Sequence, residues 1–373
     1  MLVLARGWLV YQMTNSPFML GAVSGAYSIP VVILALPGGA LADRLNRRNL
    51  MIASEVIVGF MSLGIAALIA FGSIAVWHLM LASFVSGIAF AIGQPAKMAI
   101  IPDLVGRDIM MNAIALGSAG FNAMRILAPS IGGFLLVFLG MAPVYFIGTA
   151  LSILGIVFLL LLPAREGVRE RSGASFGEDV RSGVKYVYQN KTVFTIFILI
   201  LLTTLIAQPF QYFLPVFARD ILKAGEVGLG WMMAATGLGA VISNLFIASM
   251  GDFRRKSYLL LGFMGFLGIL LTIFSYSTIL VLSLIFLVMM GMCATGFNTM
   301  SNTLLQTHSS TEMRGRALSI MTLAFGIAPL GAMPLGAVAE VTGVPLSLTM
   351  GGLLVSSITL GVFILHRNFR QLS

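Results

Sequence analysis

Apolar residues run through this chain in long windows and seldom alternate with polar ones. A helix needs about 20 consecutive apolar residues to cross about 30 Å of hydrocarbon, whereas a barrel strand would alternate over about 10. Windows of the first kind span Phe18–Leu41, Leu50–Phe71, Ala75–Ala96, Met111–Leu139 and Val144–Leu162. Beyond a polar stretch come Val193–Phe217, Leu229–Met250, Tyr258–Tyr276, Ile279–Met300, Ala317–Ala339 and Leu346–Leu365. A further piece, Met1–Gln12, is too short to cross. Backbone groups in lipid must be satisfied within the segment, so the windows predict an all-α integral membrane protein.

The connections between windows give an orientation. If the loop after Leu41 faces the cytoplasm, that side holds eighteen of the 22 Lys and Arg residues, and the other side only Arg219 and Lys223. This is a positive-inside split, with the C-terminus cytoplasmic. Trp8, Trp77 and Trp231 fall near the outer ends of their segments, as an aromatic belt would place them. The one long polar connection, Pro163–Lys191, divides the segments into equal groups, the Met1–Gln12 piece and five windows before it and six windows after it. Its apolar stripe Val180, Val184, Val187 and Tyr188 predicts an amphipathic helix on the cytoplasmic membrane face, against the plainer reading of a solvated linker. The expected domains are 1–162, a linker at 163–191, and 192–373.

The two groups repeat one another. Asp43 and Asp252 follow the second window of each group and lie 209 residues apart; Asp103 and Glu312, and Arg107 and Arg316, share that offset. Such spacing predicts an internal duplication about an axis along the membrane normal. By the same offset, the window beginning near Val193 should have a partner starting about sixteen residues before Met1, an estimate from the length a span requires. The expectation is a bundle of two six-helix halves whose first helix is represented by its outer part alone.

Composition narrows the chemistry. Charged residues make up 9% of the chain and hydrophobic ones 58%, too little charge for a soluble surface. The net charge of +9 sits in short clusters between apolar windows, which points to the lipid bilayer as partner and away from nucleic acid. Cys293 is the single cysteine, and His78, His308 and His366 show no metal-site spacing, so neither disulfide, metal nor cofactor is expected. A phosphate-binding G-x-x-x-x-G-K-[ST] loop is absent from the sequence, and no enzyme motif appears. Transport energy is then expected from an ion gradient.

Ionisable residues inside the windows mark candidate sites, because each is costly in lipid. Arg125 stands in "NAMRILAPSIGG", mid-way along its window. A charge there costs at least about 2.5–3.5 kcal/mol on insertion scales, and Pro129 removes the usual helical partner of the Arg125 carbonyl. Arg125 is therefore a candidate for substrate contact or proton control; the alternative is a bond to a neighbouring helix. Ala128, Pro129, Gly132 and Gly133 predict a small-residue packing face. Arg6, with Gln12 beyond it, is a second candidate, able also to snorkel outward. Glu55 is the one carboxylate within a window of the first group, a candidate proton carrier or a partner for the loop arginines near Arg48. Gln208 and Gln211, between Pro209 and Pro215, and the stripe Asn298, Asn302 and Gln306 are candidate ligand contacts or interhelical hydrogen bonds.

The loop "GGALADRLNRR" supplies the remaining candidates. A carboxylate ending one helix can bind the arginines and free N–H groups of a neighbouring helix start. Gly39, Leu41, Ala42, Asp43, Arg44, Arg47 and Arg48 resemble the signature of the major facilitator superfamily, with Asn46 where a glycine is usual and a left-handed turn expected. "RGWLVYQMTNSP", "PDLVGRDIMMNAIAL" and "LLQTHSSTEMRGRALS" further resemble its branch of macrolide and drug exporters and the enterobactin exporter. The resemblance covers nearly the whole chain. It implies a cytoplasmic gate at Gly39, Asp43, Arg44, Arg47, Arg48 and Asp252, and "APSIGG" resembles the antiporter motif G-P-x-x-G-G with Ala128 in place of its first glycine. The function so implied is a monomeric, proton-coupled exporter of amphipathic or hydrophobic small molecules in a bacterial inner membrane. Export of an anionic metabolite such as a siderophore, or a non-transporting receptor on the same fold, are the alternatives.

Overall fold

The computed structural model describes residues 1–105, 109–163, 188–251, 253, 255–309 and 326–365. The side chains of Asp43, Arg44, Asp103, Arg125 and Pro129 lie outside the described residues, as do Arg107, Asp252, Glu312 and Arg316 and most of the stretch expected to form an amphipathic helix.

The described elements are α1 (Leu2–Thr14), α2 (Pro17–Arg44), α3 (Arg47–Ala70), α4 (Val76–Leu104), α5 (Met110–Leu139), α6 (Met141–Leu160), α7 (Lys191–Ile221), α8 (Gly225–Ser249), α9 (Lys256–Ser275), α10 (Leu280–His308), α11 (Ala332–Thr342) and α12 (Val344–Leu365). Among the described residues nine helices are long and apolar enough to cross a membrane. Their starts follow the sequence. Ser16 caps α2 by accepting from the Met19 N–H at 3.2 Å, with Pro17 at the first helical position. Asn46 caps α3, its side chain accepting from the Arg48 and Asn49 N–H groups. Its backbone is extended at φ −61°, not left-handed, so this asparagine replaces the signature glycine as a cap and not as a turn residue. Asn15 does take the left-handed conformation, at φ 52°, and turns the chain from α1 into α2.

The proline-rich part of α7 is irregular. A π turn at Thr203–Ala207 passes into a 3-10 stretch at Gln208–Phe213, and a second π turn follows at Phe217–Ile221. Pro209 and Pro215 cannot donate to the ladder, which forces the register to change around them.

Packing repeats with a six-helix offset. α2 lies on α4 as α8 lies on α10, α3 on α6 as α9 on α12, and α3 on α4 as α9 on α10. The most extensive contacts that join the groups, α5 on α8 and α2 on α11, also exchange under the offset. Glycines allow the closest approaches. A Cβ on Gly21 would stand 2.2 Å from the Ala332 carbonyl oxygen, and one on Gly133 would stand 2.5 Å from the Gly230 Cα. Gly21 and Gly230 are themselves 209 residues apart. In lipid such backbone contact supplies the van der Waals energy that water-driven burial cannot.

Phe210, Phe213, Phe217, Phe274 and Phe297 fill the interior, with the Phe217 and Phe274 rings 4.6 Å apart. Trp77 and Trp231 are exposed, as belt residues should be, but Trp8 is buried against the core. Cys293 is a buried free thiol.

Candidate transport cavity

A cavity of about 530 Å³ opens between α1, α2, α3, α4, α6 and α7, floored by Met233 of α8 and by Pro329. Its walls are mainly apolar. Among its polar groups is Arg6, which α1 presents inward: Nη1 donates to the Ser83 hydroxyl of α4. The Arg6 Nε and the Tyr145 hydroxyl are both buried, and the guanidinium is a hydrogen-bonding neighbour of Tyr145. Tyr27, Tyr145 and Tyr212 lie within reach of the guanidinium charge. Arg6 therefore does not snorkel outward. Its partner on α4 is 77 residues away, a contact that only the packed bundle reveals.

Other candidates separate. Gln211 lines the cavity, while Gln208, one turn away, donates to the Asn298 amide oxygen at 3.4 Å and so ties α7 to α10. Gln12 is exposed and is not on the cavity wall. Glu55 lines the cavity together with Lys97. It makes no ion pair among the described residues; Arg48 instead donates to the Leu160 carbonyl at 2.8 Å, fixing α3 to the end of α6. Arg47 donates to the Ala99 carbonyl at 2.8 Å and to the Ala42 carbonyl at 3.4 Å, which ties the α2–α3 turn to α4. Gly39 is half-buried, and it is Gly38 whose missing Cβ admits the Ala91 carbonyl, at 2.2 Å. On α5, Ala128 is half-buried; a Cβ on Gly132 would meet Met1 of α1 at 2.8 Å, and Gly133 seats α8.

The opposite end of the bundle, where the short turns lie, is closed by contacts that the sequence reading missed. The Tyr11 hydroxyl donates to Asp220, Arg219 donates to the Tyr11 carbonyl at 3.2 Å, and its guanidinium lies 5.4 Å from the Tyr11 ring centroid. Glu340 of α11 accepts from the Ser16 hydroxyl at 2.8 Å and the Phe18 N–H at 3.1 Å, placing a carboxylate on the N-terminus of α2. A usable signal existed: Tyr11 and Asp220 are 209 residues apart, so equivalent positions of the duplicated halves meet each other.

A helical bundle of repeated packing, joined by two glycine seams and enclosing a cavity with a cation in an apolar wall, defines a membrane transporter. The pattern that describes the transmembrane secretion effector family, within the major facilitator superfamily, matches residues 1–371, and the chain belongs to that family. It is 27% identical to the multidrug efflux pump Tap of Mycolicibacterium fortuitum over 91% of this chain and 85% of that protein. It is 27% identical to the enterobactin exporter EntS of Shigella boydii over 97% and 87%, and 23% identical to the staphyloferrin A transporter of Staphylococcus aureus over 97% and 91%. The fold matches the crystal structure of the nucleoside transporter NupG with a TM-score of 0.74 at 17% identity, over 97% of this chain and 95% of that one. These relatives are transporters and not enzymes, and the setting is a multi-pass membrane protein with a small-molecule substrate.

Proposed function

We propose that the chain is a proton-coupled exporter of amphipathic or hydrophobic small molecules, working as a monomer by alternating access in a bacterial inner membrane. The observation that carries this reading is the cavity itself: an apolar hollow large enough for a small molecule, with Arg6, Gln211, Tyr27 and Tyr212 as orienting groups. The seams and polar contacts at the short-turn end hold that end shut while the cavity occupies the other part of the bundle. With the basic loops cytoplasmic, the short-turn end is the outer face and the cavity belongs to an inward-facing state. Asp43, Arg44 and Arg47 with Asp252 form the opposing gate, Arg125 is a second cavity cation, and Glu55 carries the proton.

Export of an anionic metabolite such as a siderophore is the second reading. The cavity cation Arg6 favours it, as do one relative named as an enterobactin exporter and another named as a staphyloferrin A transporter. Purified protein in vesicles with an internal pH dye tests both. Addition of a lipophilic dye such as ethidium should move protons in the exporter reading, and a catecholate should do so in the second. Binding without flux of either would make the chain a receptor.

A further inference from the structure

Outside the cavity, the helix ends nearest the basic loops carry a second arrangement of charge and rings. α9 starts there, α12 finishes there, and the two pack against each other. Tyr258 is exposed, as are Gly262, Phe266, Ile269 and Ile273, and their spacing of three or four residues marks the lipid-facing stripe of α9. The Tyr258 ring meets Phe363 of α12 edge-on, with centroids 6.0 Å apart. Over the same ring lies the exposed Arg255 guanidinium, 5.7 Å from its centroid. A cation held on a lipid-facing ring at the end of a span stands at the level of lipid headgroups. One turn deeper, a Cβ on Gly262 would meet nothing within 4 Å, so the stripe is indented between Tyr258 and Phe266.

The earlier half uses its basic residues differently. Asn46 stands 209 residues before Arg255, and Asn49 stands 209 before Tyr258. Asn46 caps α3, Arg47 donates to the Ala42 and Ala99 carbonyls, and Arg48 donates to the Leu160 carbonyl. Arg6 and Arg219 also donate to oxygens of the protein. Arg255 is held by a ring instead. A guanidinium on an aromatic face keeps its N–H donors at its edge, and that edge grips a phosphate in two parallel bonds.

We propose that Arg255, Tyr258 and Phe363 form a site for the headgroup of an acidic phospholipid, with an acyl chain lying in the indentation at Gly262. The phosphodiester supplies the charge that complements the guanidinium, and the rings flank the glycerol and the upper chain. A basic pocket between spans at the membrane surface is suited to such a headgroup. None of these residues lines the cavity, so the site stands independently of the transport reading.

Tryptophan quenching of the full chain in nanodiscs tests it. Phe266→Trp puts a reporter on the stripe, and the wild-type emission of Trp8, Trp77 and Trp231 is subtracted. Brominated phosphatidylglycerol and brominated phosphatidylcholine are titrated in turn into mixed discs. Phosphatidylglycerol should be preferred beside the reporter about fivefold, the factor one basic residue contributes at an anionic surface. Arg255→Gln in the reporter chain should bring the two lipids level, Arg255→Lys should keep part of the preference, and Tyr258→Leu should reduce it. Phe60→Trp, an exposed position on α3, the helix that begins with Arg47 and Arg48, should show no preference. Equal quenching by both lipids at Phe266→Trp, or a preference unchanged in Arg255→Gln, would overturn the site. An equal preference at Phe60→Trp would overturn it too, assigning the effect to the summed charge of the basic loops.

Discussion

The two halves are built alike, yet residues buried in one have equivalents that line the cavity in the other. In the later half, the first part of α7 packs against α10 and buries Val193, Ile196, Leu199 and Ile200. Across from them Leu260, Met264 and Leu267 of α9 are fully buried. The equivalent residues of α3, 209 positions earlier, are Met51, Glu55 and Val58, and all three line the cavity. The α4 residues Gly93, Gln94 and Lys97 line it too, where α10 carries Asn302, Thr303 and Gln306. The cavity thus has two kinds of wall. Around Arg6, Tyr27 and Ser86 it is lined by α1, α2 and α4; along α3 it is a surface whose equivalent in the other half packs under α7. Ligand chemistry is better sought at the first. At the second, the notable residue is Glu55, a carboxylate where the equivalent position is the apolar Met264.

Exchanging those two residues should give the largest effect. Met264→Glu would bury an unpaired carboxylate under α7 at a cost of several kcal/mol, enough to remove folded protein from the membrane. Glu55→Met should leave expression and thermal stability near wild type but uncouple flux from the proton gradient. Quantifying membrane-inserted protein and substrate-driven pH change for both variants decides this. A well-expressed Met264→Glu protein would show that α9 and α3 face alike surroundings, and an intact pH response in Glu55→Met would remove Glu55 from coupling.

Next come the seams. Gly21→Val and Gly133→Val place side chains where the Ala332 carbonyl and the Gly230 backbone allow no room, and overpacking of this kind costs about 1–3 kcal/mol or more. Both should open the short-turn end and reduce transport at least tenfold. Cross-linking of engineered cysteine pairs between α2 and α11, and between α5 and α8, should weaken in step; loss at one seam alone would mean the halves part without symmetry.

Much of this architecture is legible in the sequence. Apolar windows locate the helices because lipid permits no other described backbone here, and the 209-residue offset finds the equivalence of Gly21 with Gly230. What periodicity cannot supply is rotation about the helix axis. Gln12 and Arg6 lie on one short helix, yet one is exposed and the other points at Ser83. Gln208 and Gln211 are three residues apart in a 3-10 stretch, yet one bonds Asn298 and the other lines the cavity. Trp8 reads as a belt residue by its place near a helix end, but the neighbouring helices enclose it. Each of these depends on which helix lies alongside, a property of the fold and not of the segment.

An intermediate effect is expected at the cavity cation. Arg6→Ala leaves Ser83 without its donor and removes the charge that faces Tyr27 and Tyr212. Flux should fall about tenfold or more, since hydrogen bonds to charged groups contribute about 1.5–3 kcal/mol. Arg6→Lys should recover part of it, keeping the charge but not the planar fork. Equal flux in Arg6→Ala and wild type would shift attention from this lobe to Arg125.

The smallest effect belongs to the place where the halves touch at equivalent positions. Tyr11 and Asp220 meet there, and Arg219 approaches the Asp220 carboxylate at 3.8 Å. The Arg219 and Asp220 side chains are 37% and 48% exposed, so water and salt screen their pairing, and exposed ion pairs contribute about 0–1 kcal/mol. The Tyr11 ring itself is buried, so the hydroxyl is held in place by packing and its bond should outlast the ion pair. In a double-mutant cycle, Tyr11→Phe with Asp220→Asn should therefore show a larger coupling than Arg219→Gln with Asp220→Asn, both of order 1 kcal/mol by thermal unfolding. High salt should shrink the second coupling and spare the first. The reverse ordering would make the arginine, and not the contact between equivalent residues, the closure of this end.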